Sequence, residues 1–116
     1  MTLIEKYGMV KSAQVIQDFY ADVVKDPLLS DLFQRVSISE LAEHQADVLV
    51  MVMGGARSHS ERVIRHAHTG MRINEAQFNA MIEHLKRRLL SNGFDQVDTD
   101  QIINSYRGYQ PIVIGV

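Results

Sequence analysis

Apolar residues recur at every third or fourth position along most of the chain, which is the spacing of one face of an α-helix. This pattern predicts helices near residues 2–7, 9–25, 38–53, 60–69, 75–91 and 99–109. A short helix is also expected just after Pro27, because proline suits the first helical position, and Pro111 is expected to close the last helix. Strand-like alternation is limited to the tail at 112–114, so the predicted fold class is all-α.

Polar side chains mark where these helices begin, and glycines mark where they end. In a capping box, a side-chain oxygen and a Glu or Gln three residues later bind the free N–H groups of the first turn. The pattern occurs at Thr2–Glu5, Ser37–Glu40 and Ser58–Glu61, and in a weaker form at Asn74–Gln77. Glycines typical of helix C-termini follow three predicted helices, at Gly54-Gly55, Gly70 and Gly93.

Composition narrows the class of protein. The 116 residues (13.2 kDa) suffice for one domain spanning 1–116, and 46% hydrophobic with 22% charged residues is an ordinary globular mixture. A net charge of -2 argues against nucleic acid as a partner. The absence of cysteine excludes disulfides, thiolate metal sites and cysteine nucleophiles. No apolar run would span a membrane and the N-terminus has no signal-peptide pattern, so a cytoplasmic location is expected.

Three polar side chains fall inside apolar stripes, where a core contact is expected. Tyr20 lies in the arc of the 9–25 stripe, Gln45 in the middle of the 38–53 stripe, and His68 on the apolar face of the 60–69 helix. The 9–25 stripe is read as Met9, Ala13, Ile16, Phe19 and Val23. The 38–53 stripe is read as Ile38, Leu41, Val48, Leu49 and Val52, with His44 on its flank.

Two explanations are open for these side chains. Each could be satisfied internally, with Tyr20 and Gln45 bonding each other or the backbone and His68 bonding a carbonyl. An unpartnered buried amide costs about 1–3 kcal/mol, so a bound group is the other explanation, and the three together favour it. A neutral imidazole on an apolar face suits haem iron. Zinc bound by His59, His66 and His68 is a weaker idea, because His66 and His68 point to opposite sides of one helix and no carboxylate completes the set.

Further motifs occur along the chain in an order that resembles that of the group I truncated haemoglobins, and the resemblance covers nearly the whole chain. They are Phe19-Tyr20, Phe33, His44-Gln45, Gly54-Gly55, Arg65-His66-Ala67-His68 and Gln77-Phe78. The opening Thr2-Leu3-Ile4-Glu5-Lys6-Tyr7-Gly8 is similar to the N-terminal run of that family.

The resemblance implies a two-over-two helical sandwich around a b-type haem. It makes His68 the proximal iron ligand, Tyr20 the distal hydroxyl donor and Gln45 the distal amide that supports it. The remaining haem contacts implied by position are Phe33, Ile73, Phe78 and Met81. Leu41 takes a distal position that is polar in some relatives, and Val48 with Leu49 stands where some relatives have a tunnel-lining phenylalanine.

Histidine and arginine side chains near this site have two interpretations each. His44 matches a position from which histidine binds iron in some relatives when gas is absent, but its flank position slightly favours the pocket mouth, near a haem propionate. Arg62 and Arg65 are candidates for pairing with propionates or are simply solvated.

The chain also departs from the family pattern. Gly8-Met9 replaces a Gly-Gly pair, which predicts a different first turn or a looser first helix. No histidine lies near the C-terminus, so covalent haem attachment is not expected, and an exposed tail at 112–114 is a candidate for a homotypic contact.

The function implied is reversible binding of O2, and of NO and CO, at a five- or six-coordinate iron, for oxygen transport, storage, sensing or scavenging. Conversion of NO to nitrate is a candidate activity that would require a separate reductase. A monomer or weak homodimer is expected. The alternative function is a cofactor-free helical module for protein interaction, with the buried polar groups bonded internally.

Overall fold

A computed structural model describes residues 1–55 and 60–115 of the chain. These residues form the helices α1 (Leu3–Tyr7), α2 (Met9–Val23), α3 (Ile38–Val52), α4 (Glu61–His68), α5 (Glu75–Ser91), α6 (Gln96–Arg107) and α7 (Gln110–Val113). A 3₁₀ helix (Ser30–Phe33) lies between α2 and α3. No strand occurs in this part of the chain, which confirms the all-α prediction. No helix within it is long and apolar enough to cross a membrane.

The polar residues predicted to start the helices do so where the structure describes them. Thr2 and Asn74 form complete capping boxes, and the Ser37 hydroxyl accepts the Glu40 N–H. Ser58 lies outside the described residues, and Ser60 is the residue that caps α4 by accepting from Val63 N–H. Gly54 after α3, Gly70 after α4 and Gly93 after α5 have positive φ, as expected for helix ends, whereas Gly55 does not.

Two helix pairs, α2 with α3 and α5 with α6, form the sandwich. Helix α2 packs against α3 and α5, and α6 packs against α5 and α3, while the short α4 is held by α7. The buried face of α5 is the predicted stripe, with Phe78, Ile82, Leu85 and Leu89 buried and Met81 half-buried. This arrangement leaves α4 beside the sandwich, where it can present one face to the interior.

The apolar face of α2 matches the predicted stripe at Ile16, Phe19 and Val23 but not at the start of the helix. Its buried residues are Ser12, Val15, Ile16, Phe19, Tyr20 and Val23. Met9, at 67% exposure, and Ala13 are exposed, so their assignment to the stripe was wrong. The serine is tolerated inside because its hydroxyl donates to the Gly8 carbonyl at 2.8 Å.

The C-terminal third also differs from the prediction. Helix α6 starts at Gln96 rather than near 99, because the Asp95 carboxylate caps it by accepting the Asp98 N–H at 2.8 Å. Pro111 does not close that helix. It lies in the first turn of α7, where its missing N–H costs no hydrogen bond.

The apolar tail packs on its own domain. Ile112 and Val113 belong to α7 and are 9% and 5% exposed. Ile114 forms a single parallel bridge with Ile73, and the Gly115 N–H donates to the Ile73 carbonyl at 2.9 Å. The expectation of an exposed tail that makes a homotypic contact was therefore wrong, because these side chains are needed to cover α4 and the segment before α5.

Helix α1 is anchored to the start of α6. The Tyr7 ring stacks on Phe94 with centroids 3.9 Å apart, and its hydroxyl donates to Asp98 at 2.6 Å while accepting from the Asp95 N–H at 3.1 Å. Lys6 Nζ lies 2.6 Å from Asp98 and 3.1 Å from Asp95. These contacts hold the first helix in place.

A single glycine makes the turn between α1 and α2. Gly8 has φ of 85°, in the left-handed region that favours glycine, whereas Met9 already belongs to α2. The turn therefore needs no second glycine.

Ion pairs join α2 and the segment after it to α5. The Arg88 guanidinium donates to both carboxylate oxygens of Asp22, and His84 Nε2 lies 2.7 Å from Asp26. The hydrogen bonds from Arg88 lower the pKa of Asp22. Those from His84 and from the Leu28 N–H lower the pKa of Asp26.

Lowering the pH should reduce the folding stability of the protein, because protonation of these carboxylates removes their bonds to Arg88 and His84. Because the folded-state pKa of Asp22 is below its ordinary value, the stabilisation is complete above that value and is lost as pH falls through the folded pKa. We expect Asp22→Asn to lower the thermal midpoint by a few degrees at most at neutral pH, since solvent screens the partly exposed pair. At about pH 2 the difference should nearly vanish.

The control for this prediction is Asp100→Asn, which changes an exposed carboxylate on α6 whose one side-chain partner among the described residues is Gln96. It should leave the midpoint nearly unchanged at both pH values. If Asp22→Asn lowers the thermal midpoint as much in acid as at neutral pH, the stabilising role assigned to the Asp22–Arg88 pair is contradicted.

Candidate functional site

A mostly apolar cavity lies among α2, α3, α4 and α5, and residues of α6 and α7 complete its lining. The space between its lining atoms, mouth included, is about 830 Å³. The lining side chains are Ile16, Phe19, Tyr20, Phe33, Leu41, Gln45, Val48, Ile64, His68, Met71, Ile73, Phe78, Met81, Ile82, Leu85, Tyr106, Tyr109 and Val113.

The cavity brings together the three polar residues selected from the sequence. Tyr20 enters from α2, Gln45 from α3 and His68 from α4. The side chains expected to contact a cofactor that also line the cavity are Phe33, Leu41, Val48, Ile73, Phe78 and Met81.

His68 is held in one tautomer by its own helix. Its Nδ1 lies 2.7 Å from the carbonyl oxygen of Ile64, one turn earlier on α4. A carbonyl oxygen only accepts, so Nδ1 carries the proton and Nε2 keeps its lone pair. Burial lowers the pKa of His68, and the hydrogen bond to Ile64 opposes this in part. The imidazole is therefore neutral at physiological pH, with one nitrogen available as a ligand.

Tyr20 presents a neutral hydroxyl to the cavity. Its ring is 6% exposed and contacts Phe19 and Phe33 edge-on, with centroids 5.0 and 6.0 Å away. Burial raises the pKa of Tyr20, so the phenol keeps its proton and acts as a donor. The two flanking aromatic rings restrict where that hydroxyl can point.

Internal hydrogen bonds do not account for Tyr20 and Gln45. Neither side chain bonds the other or any other residue in the described ranges 1–55 and 60–115. His68 does bond a carbonyl, as the internal explanation required, but only through Nδ1. The cavity thus holds the Tyr20 hydroxyl, the Gln45 amide and the His68 Nε2, and none of these three groups bonds another described residue. A bound group could use all three.

His44 is not among the side chains that line the cavity, but its ring lies close to that of His68. The two ring centroids are 6.4 Å apart, with the ring planes at 66°. Two imidazole nitrogens at about 2 Å from a shared metal would place the ring centroids roughly 6 Å apart. The distance between the two ring centroids therefore equals that of two imidazoles that share one metal atom.

The predicted arginines lie on a different surface. Arg62 and Arg65 are exposed on α4 and line a surface hollow together with His66, not the cavity. His59 lies outside the described residues. Within the described part of the chain no three potential metal-binding side chains cluster.

Two tyrosines of the cavity, Tyr106 on α6 and Tyr109 just after it, were missed by the sequence analysis. The Tyr106 hydroxyl oxygen is buried and bonds no other described residue. The signal was present, because Tyr106 follows Ile102 and Ile103 at helical spacing on the buried face of α6. The residue was instead grouped with the C-terminal tail.

Comparison with known proteins identifies the family. A profile of the bacterial-like globins matches residues 2–111. The group 1 truncated hemoglobin of Tetrahymena thermophila is 30% identical over 103 residues, which are 88% of this chain and 82% of that protein. The chain belongs to this family, as a group 1 truncated haemoglobin.

Solved structures show the same fold as this globin. The truncated hemoglobin from Tetrahymena pyriformis in its Fe(III) form superposes with a TM-score of 0.90, covering 100% of both chains at 23% identity. The hemoglobin of Chloroflexus aurantiacus gives a TM-score of 0.81 at 26% identity, covering 100% of this chain and 99% of that one. The predicted two-over-two sandwich is confirmed.

Membership in this family implies a haem cofactor and gas binding by that haem. The cavity of this globin fits such a group on its own terms. It combines a mostly apolar wall for the macrocycle, a neutral imidazole for the iron, and unused hydrogen-bonding groups in the same space. Family and geometry together favour haem over the cofactor-free interaction module.

Proposed function

We propose that this globin binds one b-type haem through His68 and retains O2 in the cavity by hydrogen bonds from Tyr20 and Gln45. The observation that carries this proposal is the convergence of those three side chains on one cavity, with His68 Nε2 left unprotonated. No other described polar group competes for the Tyr20 hydroxyl or the Gln45 amide.

The haem would be held without covalent bonds to the chain. The sequence contains no cysteine, so thioether attachment is impossible, and residues 85–116 contain no histidine. Phe33, Phe78 and Met81 line the cavity as apolar contacts for the macrocycle. These features support the b-type assignment.

The distal wall would set how long a gas stays bound. Haem supplies an iron atom that binds diatomic gases and can give the one electron with which O2 and NO combine to form nitrate. Tyr20 and Gln45 donate towards negative charge that develops on the gas, and the apolar lining excludes water and strengthens those hydrogen bonds. Leu41 adds no donor, so Tyr20 and Gln45 are the pocket residues we assign to this task.

Slow release suits storage, sensing or scavenging of the gas, and NO conversion would follow if a reductase returned the electron. We infer reversible O2 binding as the primary activity, because the cavity explains retention directly. NO and CO fit the same space and the same donors. Arg62 and Arg65 are exposed on α4 and do not contribute to the wall of the cavity, and their pairing with haem propionates stays a prediction.

His44 is proposed as a second imidazole ligand when no gas is present. The 6.4 Å separation of the His44 and His68 rings supports this role over a place at the mouth of the pocket. A gas would have to displace His44 before Tyr20 and Gln45 could contact it.

Removing the Tyr20 hydroxyl should release O2 faster. Tyr20→Phe deletes one donor while keeping the ring between Phe19 and Phe33, and a lost hydrogen bond of about 1–3 kcal/mol corresponds to roughly five- to 150-fold faster dissociation. Stopped-flow displacement of O2 from the ferrous protein measures the rate.

Tyr7→Phe is the matched control, because the Tyr7 hydroxyl bonds Asp98 and lies outside the cavity. It should lower stability and leave O2 dissociation unchanged. Equal O2 dissociation rates in the unmodified protein and Tyr20→Phe would sink the distal assignment.

The coordination of the gas-free ferrous protein tests His44. We expect a six-coordinate, low-spin absorption spectrum that becomes five-coordinate and high-spin in His44→Leu. His66→Leu, which changes an exposed histidine on α4, should keep the original spectrum. A five-coordinate spectrum in the unmodified protein would rule out His44 as a ligand.

A further inference from the structure

The segment at residues 110–115, the C-terminal strap, covers the helix that carries His68. Its first four residues form α7, which packs against α4. Val113 of this segment is 5% exposed, and its side chain lines the cavity together with His68. The C-terminal strap therefore forms part of the cavity wall as well as the support of α4.

The C-terminal strap is joined to the rest of the domain at a second place. Ile114 forms a parallel bridge with Ile73, and the Gly115 N–H donates to the Ile73 carbonyl oxygen at 2.9 Å. Ile73 is 2% exposed, lines the cavity and belongs to the segment between α4 and α5. The C-terminal strap thus holds both α4 and the segment that follows it against the cavity.

The remaining walls of the cavity have more extensive support. The long helices α2 and α5 pack against each other, and the Arg88 guanidinium of α5 pairs with the Asp22 carboxylate of α2. Helix α4 has eight residues, and its main packing partner among the described helices is the four-residue α7. Helices this short are marginal alone, and local opening begins where packing is sparse. The wall made by α4 and the C-terminal strap is therefore the part of the cavity that opens most easily.

Resting on the proposed function, we propose that the C-terminal strap is a gate that admits and releases haem by separating from Ile73 and α4. Opening breaks the hydrogen bond between Gly115 and Ile73 and exposes the apolar side chains of Ile112 and Val113. It also leaves α4 without its main support, so that His68 can move away from the cavity. The closed strap holds the His68 helix in place and thereby retains the haem.

The absence of cysteine from the sequence allows the gate to be locked with one engineered disulfide. Partners in a bridge between strands have Cα atoms about 5 Å apart, which is within the range of roughly 4.4–6.8 Å that a disulfide spans. Ile73→Cys combined with Ile114→Cys should therefore form a disulfide that keeps the strap closed, and dithiothreitol should reopen it. Failure of the two cysteines to pair would contradict the bridge and the gate with it.

Transfer of haem from the loaded protein to an excess of apomyoglobin measures how fast the gate opens. We expect the disulfide form of the double-cysteine variant to lose haem at least about tenfold more slowly than the same variant after reduction, because the covalent bond prevents the separation. Uptake of haem by the haem-free variant should slow in the same way. Equal rates in the oxidised and reduced forms would overturn the proposal.

Loosening the C-terminal strap should have the opposite effect. Ile112→Ala removes buried contacts of the strap, and Ile112 is not among the side chains that line the cavity. We expect this variant to lose haem at least about fivefold faster than the unmodified protein.

Ile103→Ala is the matched control, because Ile103 on α6 is buried to a similar degree, 6% exposed against 9% for Ile112, and is also absent from the lining. It should lower the thermal midpoint as Ile112→Ala does and leave haem loss nearly unchanged. If both variants accelerate haem loss equally, the effect is a general loss of stability and the gate is refuted.

Hydrogen exchange in the haem-free chain gives a readout that does not depend on haem. The amide protons of α4 should exchange more slowly in the disulfide form than in the reduced form, and those of α5 should not change. Exchange of α4 at the same rate in both forms would contradict the gate. An unmodified protein that takes up no haem would refute the proposed function itself, whereas normal haem uptake that the disulfide does not slow would refute only the gate.

Discussion

The hydrogen bond between His68 Nδ1 and the Ile64 carbonyl is the interaction on which the site depends. It forms within α4 at 2.7 Å and determines which imidazole nitrogen carries the proton. Without it the ring could rotate or exchange tautomers, and the lone pair would not be directed consistently. The apolar cavity then keeps this imidazole neutral, because burial disfavours its charged form. A bond that satisfies His68 as a core residue is thus the same bond that prepares it as a ligand.

The fold serves this arrangement by giving short helices external support. Helix α4 has eight residues and would be marginal alone, but Ser60 caps its start and α7 packs against it. The bridge between Ile73 and Ile114 ties the chain end to the segment that follows α4. The tail therefore stabilises the part of the cavity that α4 and His68 form. Helices α2 and α3 supply the other two polar residues, Tyr20 and Gln45.

Much of this could be predicted from the sequence, because both the helices and the three polar residues follow from local periodicity. Tyr20, Gln45 and His68 stand out as polar groups in apolar stripes, and the family motifs assign each a role. The α2 stripe was predicted correctly at Ile16, Phe19 and Val23 but wrongly at Met9, which is apolar but begins the helix, where no other described element covers it. Tyr106 was missed because it was grouped with the C-terminal tail, although it follows Ile102 and Ile103 at helical spacing on α6. The 6.4 Å spacing of His44 and His68 depends on how α3 packs relative to α4, which no local pattern encodes.

Haem titration into the haem-free chain, followed by the growth of the Soret band, tests the central claim most directly. The unmodified protein and His66→Ala, which changes an exposed histidine on the same helix, should both saturate at one haem per chain with the same spectrum. His68→Ala should bind haem far more weakly and with a different spectrum. A chain that shows no saturable Soret band, or a His68→Ala variant that matches the unmodified protein in affinity and spectrum, would contradict the account.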